Sequence, residues 1–344
     1  MTREVAFEAI KLSMKNDKTT GLLFYGGEPL LEKELIYDIV AHTQKIKDDT
    51  GHNFYYKITT NGTLLDEEFL EFSKKINMSI GFSHDGPAQD DNRLLLNGDG
   101  SYDILKEKIP LLLKYQPYAI GMSVVDPSTV HKATDTIEFL FEKGFRYITM
   151  NLNYDPAAKW TRKHLDILEK EYNKMAEMYI QWTKREEKFY LSPFDMKILS
   201  HLKGTKYNED RRLMNRSQPS VAPDGKIYSG SRYVDYPKFS IGDVFAGIDE
   251  EKRKFLEDKG AIPPEPCREC AIKTRCNYVY DSLNRHDTEV YTEIYPIQCA
   301  HEQLITPIAD NVAAKLYREE NTLFIHKHYN QMYSAVSLLE DMNL

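Results

Sequence analysis

The sequence has 344 residues, of which 41% are hydrophobic and 28% charged, a composition typical of a globular protein with one large domain and a smaller one. Its net charge of −8 excludes a general basic surface, which argues against nucleic acid as the main partner. No apolar run approaches the roughly 20 residues that cross a bilayer, and the first residues have the pattern of an amphipathic helix instead of a signal peptide. We therefore expect a cytoplasmic protein with neither nucleic acid nor a membrane as partner.

The segment from residue 22 to residue 154 alternates short apolar runs with helical patterns, which predicts an α/β fold with a parallel sheet. The predicted strands, apolar enough for burial on both faces, are residues 22–25, 53–60, 78–83, 118–125 and 145–153. The predicted helices, the last with Ser128 as its N-cap, lie near residues 32–47, 65–75, 102–115 and 129–143. Five strands are fewer than the eight of a closed barrel, and a helical pattern precedes them, so we expect a first strand to be missing.

A domain boundary is predicted near residue 200, where the sequence becomes rich in loops. Before it, residues 163–185 form a long predicted helix whose apolar stripe we assign to core packing. The members of this stripe are Leu165, Leu168, Tyr172, Met175, Tyr179 and Trp182. After residue 300 the pattern is helical again, and we expect His326 and His328 to lie on an exposed face. The predicted domains are a partial barrel with a trailing helix, a Cys-rich domain and a C-terminal helical segment, at residues 1–200, 201–300 and 301–344.

Small and polar residues follow three successive predicted strands. They are Gly26, Gly27 and Glu28 after the first strand, Thr60 and Asn61 after the second, and Ser83, His84 and Asp85 after the third. Each group alone is an ordinary turn, but the carboxyl ends of parallel strands meet at one edge. Glycines let a ligand approach the backbone, and Glu28 can accept hydrogen bonds from an ammonium group. The pattern favours a site for a small ligand with an amino group and a ribose, whereas an acid–base pair of His84 and Asp85 is disfavoured because adjacent side chains seldom point to one place.

All four cysteines lie in one short segment near the C-terminus. They are Cys267, Cys270, Cys276 and Cys299. In a sequence without a signal peptide, such clustering indicates metal or cluster ligation before disulfides. Four thiolates suit either one Zn²⁺ or one 4Fe–4S cluster. The spacing leaves both open, although a zinc site usually brings a second C-x2-C pair.

Three motifs at the predicted strand ends, in this order and spacing, resemble those of the radical S-adenosylmethionine (SAM) maturases that carry a SPASM domain. They are YGGEPLL at 25–31, TTNGTLL at 59–65 and FSHDGP at 82–87. The segments at 223–230 and 239–244 and the Cys region extend the likeness over nearly the whole chain. The resemblance implies a partial (β/α)6 barrel, here without its first strand, and a small SPASM-like domain.

The family's chemistry is implied by the same resemblance. A 4Fe–4S cluster cleaves SAM to a 5′-deoxyadenosyl radical, which abstracts hydrogen from a ribosomally made peptide or protein, and auxiliary clusters lie in the SPASM domain. The partners implied are that substrate, which can be Cys-rich, and a reductant such as flavodoxin or ferredoxin. The residues implied in SAM binding are Gly26, Gly27 and Glu28 at the amino group, Ser83 with Thr60 or Asn61 at the ribose, and Leu152 near the adenine.

The sequence departs from the family's pattern in two places. The family's C-x3-C-x2-C loop, which ligates the SAM cluster, lies upstream of the GGEP strand, whereas no cysteine here precedes Cys267. We therefore expect the chain to be truncated and inactive alone, with the SAM cluster present only when the missing N-terminal segment is supplied. Gly230 and Tyr280 stand where the family has auxiliary-cluster cysteines, so the four cysteines match one auxiliary cluster, the more distal. The alternative is a non-catalytic peptide-binding protein with a structural Zn or Fe–S centre.

Overall fold

The computed structural model describes residues 1–15, 18–216, 218–277, 294–330 and 332–333. Its main sheet has six parallel strands that lie side by side in chain order. They are β1 Thr19–Phe24, β2 Asn53–Thr60, β3 Ser79–Ser83, β4 Ile120–Val125, β5 Tyr147–Leu152 and β6 Tyr190–Leu191. The parallel α/β prediction is confirmed, and the five predicted strands are present. The sixth, β6, escaped prediction because two residues are too few to show a strand period.

Helices connect the strands and continue after the sheet. They are α1 Arg3–Ser13, α2 Lys33–Thr50, α3 Glu67–Lys75, α4 Gln89–Asn92, α5 Tyr102–Tyr115, α6 Ala133–Glu142, α7 Arg162–Lys184, α8 Ser192–Lys203 and α9 Thr205–Arg216. The cap predicted for α6 is wrong, because this helix follows a short 3-10 turn at Val130–Lys132 and has no side-chain N-cap hydrogen bond. Thr129, next to the predicted Ser128, instead accepts a hydrogen bond from the backbone N–H of Asp126 at 3.1 Å.

Along β2, one face of the main sheet is buried and the other is not. Phe54, Tyr56 and Ile58 alternate with exposed positions and are at most 9% exposed, whereas Tyr55 between them is 67% exposed. The prediction that the strands are buried on both faces is therefore wrong for β2. Since side chains of a strand alternate between the two faces, the described residues cover the face that holds Ile58 and leave the opposite face open.

The main hydrophobic core lies between this sheet and the helices that cover it. The stripe of α7 packs there as predicted, with Leu168, Tyr172, Met175, Tyr179 and Trp182 at most 5% exposed and Leu165 partly buried against them. A later helix, α11 at Pro296–Arg318, contacts both α7 and α8. Its apolar residues belong to the same core, so a helix from the end of the chain completes the packing around α7.

A second, antiparallel sheet has four short strands in the order β10-β9-β8-β7. They are β7 Ser220–Val221, β8 Lys226–Tyr228, β9 Ser240–Asp243 and β10 Gly247–Ile248, followed by α10 Glu250–Gly260. This sheet has its own small core, to which Val5 of α1 contributes. The separate core of this sheet agrees with the predicted change from α/β sequence to loop-rich sequence near residue 200. The three domain limits given above stay a prediction.

The C-terminal helix α12, Thr322–Tyr329, corrects one prediction about the paired histidines. His326 is exposed, as expected. His328 is not, because its side chain is only 6% exposed and its Nε2 lies 3.4 Å from the buried carboxylate of Asp195. Among the described residues, no helix has both the length and the apolar character needed to traverse a lipid bilayer.

Candidate functional site

The ends of β1 and β2 are joined by one carboxylate. Glu28 Oε1 accepts hydrogen bonds from Thr60 Oγ1 at 2.7 Å and from the N–H of Leu30 at 3.0 Å, and its Oε2 accepts from the N–H of Asn61 at 2.7 Å. Phe24 is the register partner of Ile58, so both chains leave the sheet at the same edge. The structure therefore brings three of the predicted site residues, Glu28, Thr60 and Asn61, into direct contact.

The same carboxylate remains available to a ligand. A carboxylate offers about four acceptor positions, and three are used here, with a single donor on Oε2. Glu28 is also only partly buried, and the preceding Gly26 and Gly27 are exposed. A Cβ at either glycine would meet nothing within 4 Å, and Gly26 has a φ of +155° that favours glycine. The loop thus combines an open backbone with a negative charge.

Thr60 and Asn61 also shape the turn that follows β2. Thr60 Oγ1 accepts from the N–H of Gly62 at 2.9 Å, and Asn61 Oδ1 accepts from the N–H and hydroxyl of Thr63 at 3.0 and 2.8 Å. The buried hydroxyl of Thr60 is thereby used on both sides. Asn61 has a side-chain amide donor beyond these bonds, which makes it better suited than Thr60 to a ligand hydroxyl.

The other two predicted SAM-binding residues lie apart from this contact. Ser83 ends β3, is partly buried, and points away from the core side chain of its neighbour Phe82. Leu152 ends β5 but is 3% exposed and packs in the main core with Ile148 and Met150. Their assignment to a ribose and to an adenine stays a prediction.

A second bridge between strand ends escaped the sequence reasoning. Asn153 directly follows β5, and Asp126 directly follows β4. The Nδ2 of Asn153 donates a hydrogen bond to Oδ1 of Asp126 at 2.7 Å. This pair joins β4 to β5 much as Glu28 joins β1 to β2. The signal was present, because both are the first polar residues beyond their strands, but neither belongs to a motif.

His84 and Asp85 have separate structural roles, as expected. His84 Nδ1 accepts from the N–H of Gly86 at 2.8 Å, and burial followed by the charge of Arg93 lowers its pKa to about 4. Asp85 instead pairs with Arg93, Oδ2 to Nε at 2.6 Å, and accepts from the N–H of Val124 at 2.9 Å. The carboxylate and the imidazole therefore do not form an acid–base pair.

The four predicted metal ligands line one cavity of about 570 Å³. Cys267 and Cys276 are buried, and Cys270 and Cys299 are partly buried. Burial raises the pKa of the Cys267 thiol, and Cys270 and Cys299 raise it further. For Cys299, burial again comes first, followed by Cys270 and Glu302. The thiols therefore lie close enough to disfavour each other's ionisation, which is the condition that a bound cation relieves.

In the described part of the chain, no three His, Cys, Asp or Glu side chains stand in a ready metal-ligand arrangement. The donor set nevertheless fits a thiolate-bound metal, because four cysteines line one cavity and Cys267, Cys270 and Cys299 form no disulfide. Residues 278–293, which separate Cys276 from Cys299 and include Tyr280, lie outside the described residues.

A buried histidine ties the cavity to the main sheet. His301, two residues after Cys299 on α11, lies 2.7 Å from the hydroxyl of Tyr154 through Nδ1 and 2.7 Å from that of Tyr172 through Nε2. Burial, followed by the charge of Lys197, lowers the pKa of His301 to about 3. Tyr154 follows β5 and Tyr172 lies on α7, so this neutral imidazole fixes the cysteine-bearing helix against the strand ends.

Comparison with known proteins finds one family model and several relatives that are similar to this chain. A family model described as the radical SAM superfamily matches residues 1–140. The cysteine-type anaerobic sulfatase-maturating enzyme of Clostridium novyi is 26% identical over 245 residues, 69% of this chain and 62% of that protein. The serine-type enzyme of Bacteroides thetaiotaomicron is 25% identical over 284 residues, 74% of this chain and 67% of that protein. This chain thus spans about two thirds of either relative.

The solved structures share the fold. Native anSMEcpe with bound AdoMet and Kp18Cys peptide superposes with a TM-score of 0.73 at 19% identity, covering 92% of this chain and 91% of that one. SuiB of Streptococcus suis bound to precursor peptide SuiA gives a TM-score of 0.56 at 16% identity, covering 86% of this chain and 68% of that one. The sequence match over residues 1–140 and the shared fold agree: the chain is similar to the radical SAM superfamily and to the anaerobic sulfatase-maturating enzymes.

Proposed function

We propose that the protein is a radical SAM maturase of the SPASM type that modifies a ribosomally made peptide or protein by hydrogen abstraction. The observation that carries this proposal is its similarity to sulfatase-maturating enzymes, whose substrates are proteins, over 69% and 74% of this chain. The peptide-bound structures of anSMEcpe and SuiB support a peptide or protein substrate. Free thiols at Cys267, Cys270 and Cys299 support a reducing, cytoplasmic setting.

The loop after β1 is the proposed site of the SAM amino group. Glu28 supplies the negative charge, and the remaining acceptor position on its Oε2 can take an ammonium hydrogen. The open backbone at Gly26 and Gly27 lets the ligand approach. We assign the ribose to Ser83 and the side-chain amide of Asn61, which lie at the ends of neighbouring strands.

The cysteine cavity is the proposed site of one auxiliary 4Fe–4S cluster, with Cys267, Cys270, Cys276 and Cys299 as ligands. Such a cluster supplies one-electron chemistry and takes its electrons from a reductant such as flavodoxin or ferredoxin. Four cysteine ligands leave no open iron for SAM. The ligands of a SAM-cleaving cluster are absent from residues 1–266, which contain no cysteine, so these 344 residues do not suffice for SAM cleavage.

The test is to supply the missing ligands. A C-x3-C-x2-C segment of the kind that the family carries before its GGEP strand is fused ahead of residue 1. After anaerobic reconstitution, we expect the fusion to bind about four more irons than the unfused chain and to release 5′-deoxyadenosine from SAM under strong reductant. The control is the same fusion with alanine at the three added cysteines. Release of 5′-deoxyadenosine by the unfused chain, or none by the fusion, would contradict the proposal.

A second candidate is favoured by the lack of any cysteine before Cys267. In it, the protein binds a peptide without catalysis, and the four cysteines hold a structural Zn²⁺. Metal analysis of anaerobically purified protein separates the two. Iron and sulfide near four each per chain support the maturase, whereas one tightly bound Zn²⁺ without sulfide supports the binding protein.

A further inference from the structure

The acidic partner of a buried ion pair lines the cysteine cavity. Lys197 on α8 and Glu302 on α11 lie with Nζ and Oε2 2.5 Å apart, and their side chains are 2% and 1% exposed. Glu302 lines the cavity together with the four cysteines. It also lies one turn after Cys299 on the same helix. Neither charge belongs to a family motif quoted above.

The pair holds the backbone on both sides of Cys276. Lys197 Nζ donates to the carbonyl of Arg275 at 3.2 Å, and Glu302 Oε2 accepts from the N–H of Asn277 at 3.2 Å. One ion pair thus fixes the residues that precede and follow one cysteine to a helix that carries another, Cys299. The other two cysteines rely on local turns, since the N–H of Cys267 bonds to the carbonyl of Pro264 at 2.8 Å.

Fold stability alone does not explain this arrangement. Removing two charges from water carries a desolvation cost that their attraction repays only with complete hydrogen bonding. Glu302 Oε1 is buried and has no hydrogen-bond partner among the described residues. A second ion pair, Lys327 with Asp195 at 2.7 Å, has side chains 12% and 4% exposed, and its hydrogen bonds among the described residues go to Tyr179 and Leu191. The Lys197–Glu302 pair differs because it binds the backbone on both sides of Cys276.

We propose that Lys197 and Glu302 are positioning residues that keep Cys276 and Cys299 at the spacing required by a metal centre. This inference rests on the proposed metal centre at the four cysteines. The carbonyl of Arg275 needs a hydrogen-bond donor and the N–H of Asn277 needs an acceptor, which apolar side chains of the same size cannot supply. The expected loss is partial, because Arg275 also binds Asp310 of α11 through two hydrogen bonds of 2.6 and 2.7 Å.

The experiment compares metal affinity with thermal stability in the full chain. Co²⁺ is titrated into the metal-free protein and followed by thiolate-to-metal absorption, and Zn²⁺ competition gives the affinity. The variants are Lys197→Met, Glu302→Met, the double variant with both changes, and Lys327→Met as the matched control. Each single variant leaves one buried charge unpaired and should unfold at a lower temperature.

The double variant decides between positioning and stability. Two apolar side chains remove the unpaired charge, so we expect its unfolding temperature to recover toward that of the wild type. Its Zn²⁺ affinity should stay roughly 10- to 100-fold below wild type, the usual effect of losing an outer-shell partner. The Lys327→Met control should lose stability and keep its metal affinity.

Two results would overturn the inference. Wild-type affinity in the double variant would show that the pair only stabilises the fold, and a matching affinity loss in Lys327→Met would show that any destabilisation weakens the site. If the wild-type chain binds neither Co²⁺ nor Zn²⁺ and takes up no iron and sulfide on anaerobic reconstitution, the proposed metal centre itself is wrong. That outcome is distinguishable, because it is seen before any variant is made.

Discussion

At the scale of single residues, Glu28 shows how far a motif can be interpreted from sequence. Its place after β1, between glycines and a proline, predicts a ligand-binding carboxylate. The structure adds a second role, the link to Thr60 and Asn61 more than thirty positions away. Sequence alone could not show that link, because it depends on the parallel register of β1 with β2. The charge of Glu28 and the open backbone beside it were predictable, whereas its hydrogen-bond partners were not.

The exposure predicted for His328 was wrong because its partner, too, is distant in the sequence. A polar residue in a short C-terminal helix is usually exposed, and His326 is. The buried carboxylate of Asp195, from α8, reaches His328 only in the folded protein and gives it a charged partner. Long-range polar pairs of this kind leave no periodic signal in the sequence.

His84 carries a testable pH dependence. Because its folded-state pKa of about 4 lies below the ordinary value of 6.5, unfolded chains bind a proton at this ring before folded chains do. The stability that His84 contributes is complete above pH 6.5 and is lost as the pH falls toward about 4. The slope is up to about 1.4 kcal/mol per pH unit.

The variant His84→Asn isolates this effect. Its Oδ1 can still accept the N–H of Gly86, but it does not titrate. We expect urea unfolding to show a lower stability than wild type at neutral pH, because ring stacking on Phe139 is lost, and a weaker decline in stability between pH 6.5 and about 4. The other buried histidines are present in both proteins and cancel. Parallel pH curves for the two proteins would refute the assignment.

At the scale of secondary structure, the sequence predicted elements with a clear period and missed those without one. All of β2 was predicted to the residue, because six of its eight residues are β-branched or aromatic and leave little ambiguity. β6 has two residues and no pattern. The exposed face of β2 was also unpredictable, because Tyr55 is as apolar as its buried neighbours and only the placement of the helices decides which face is covered.

Two glycines in the strand-end loops differ in role: Gly62 is needed for packing, whereas Gly27 is proposed to admit a ligand. Gly62 has a φ of +80°, and a Cβ there would lie 2.1 Å from Cε2 of Phe82. Gly62→Ala should therefore destabilise the protein by roughly 2 to 4 kcal/mol through strain and overpacking. Gly27 has no positive φ and open space around its Cβ position, so Gly27→Ala should change stability by about 0.5 kcal/mol or less.

Urea unfolding of both variants measures this difference. Calorimetric titration of SAM into the cluster-bearing fusion described above measures the effect of each variant on SAM affinity. Gly27→Ala should weaken SAM binding despite its unchanged stability, because the methyl group occupies the space through which the ligand approaches the backbone. Unchanged SAM affinity in Gly27→Ala would remove this loop from the proposed site, and a stable Gly62→Ala would contradict the close packing of Phe82.

At the scale of the whole molecule, one helix connects the cysteine cavity to the main core. α11 begins with a segment that carries Cys299, His301 and Glu302, and its later turns place Ile305 and Leu316 fully inside the core. The three polar side chains point to three different partners, namely the cavity, the tyrosines near the strand ends, and Lys197. We therefore expect that a metal bound in the cavity would be coupled mechanically to the sheet, although the cysteines follow the sheet by more than seventy residues.

This coupling predicts that metal binding stabilises the main core and not only the cysteine segment. With Zn²⁺ at about 100 times its dissociation constant, linkage adds roughly 2.7 kcal/mol, which for a chain of this size raises the unfolding temperature by roughly 3 to 5 °C. Hydrogen exchange should slow along α11 as far as Leu316 and along the facing turns of α7, because both helices unfold with the core they share. A Cys299→Ser variant, which lacks one ligand, is the control and should show a much smaller shift. Protection confined to residues 262–277 would mean that the cavity is a separately folding unit, and that α11 transmits nothing from the metal to the sheet.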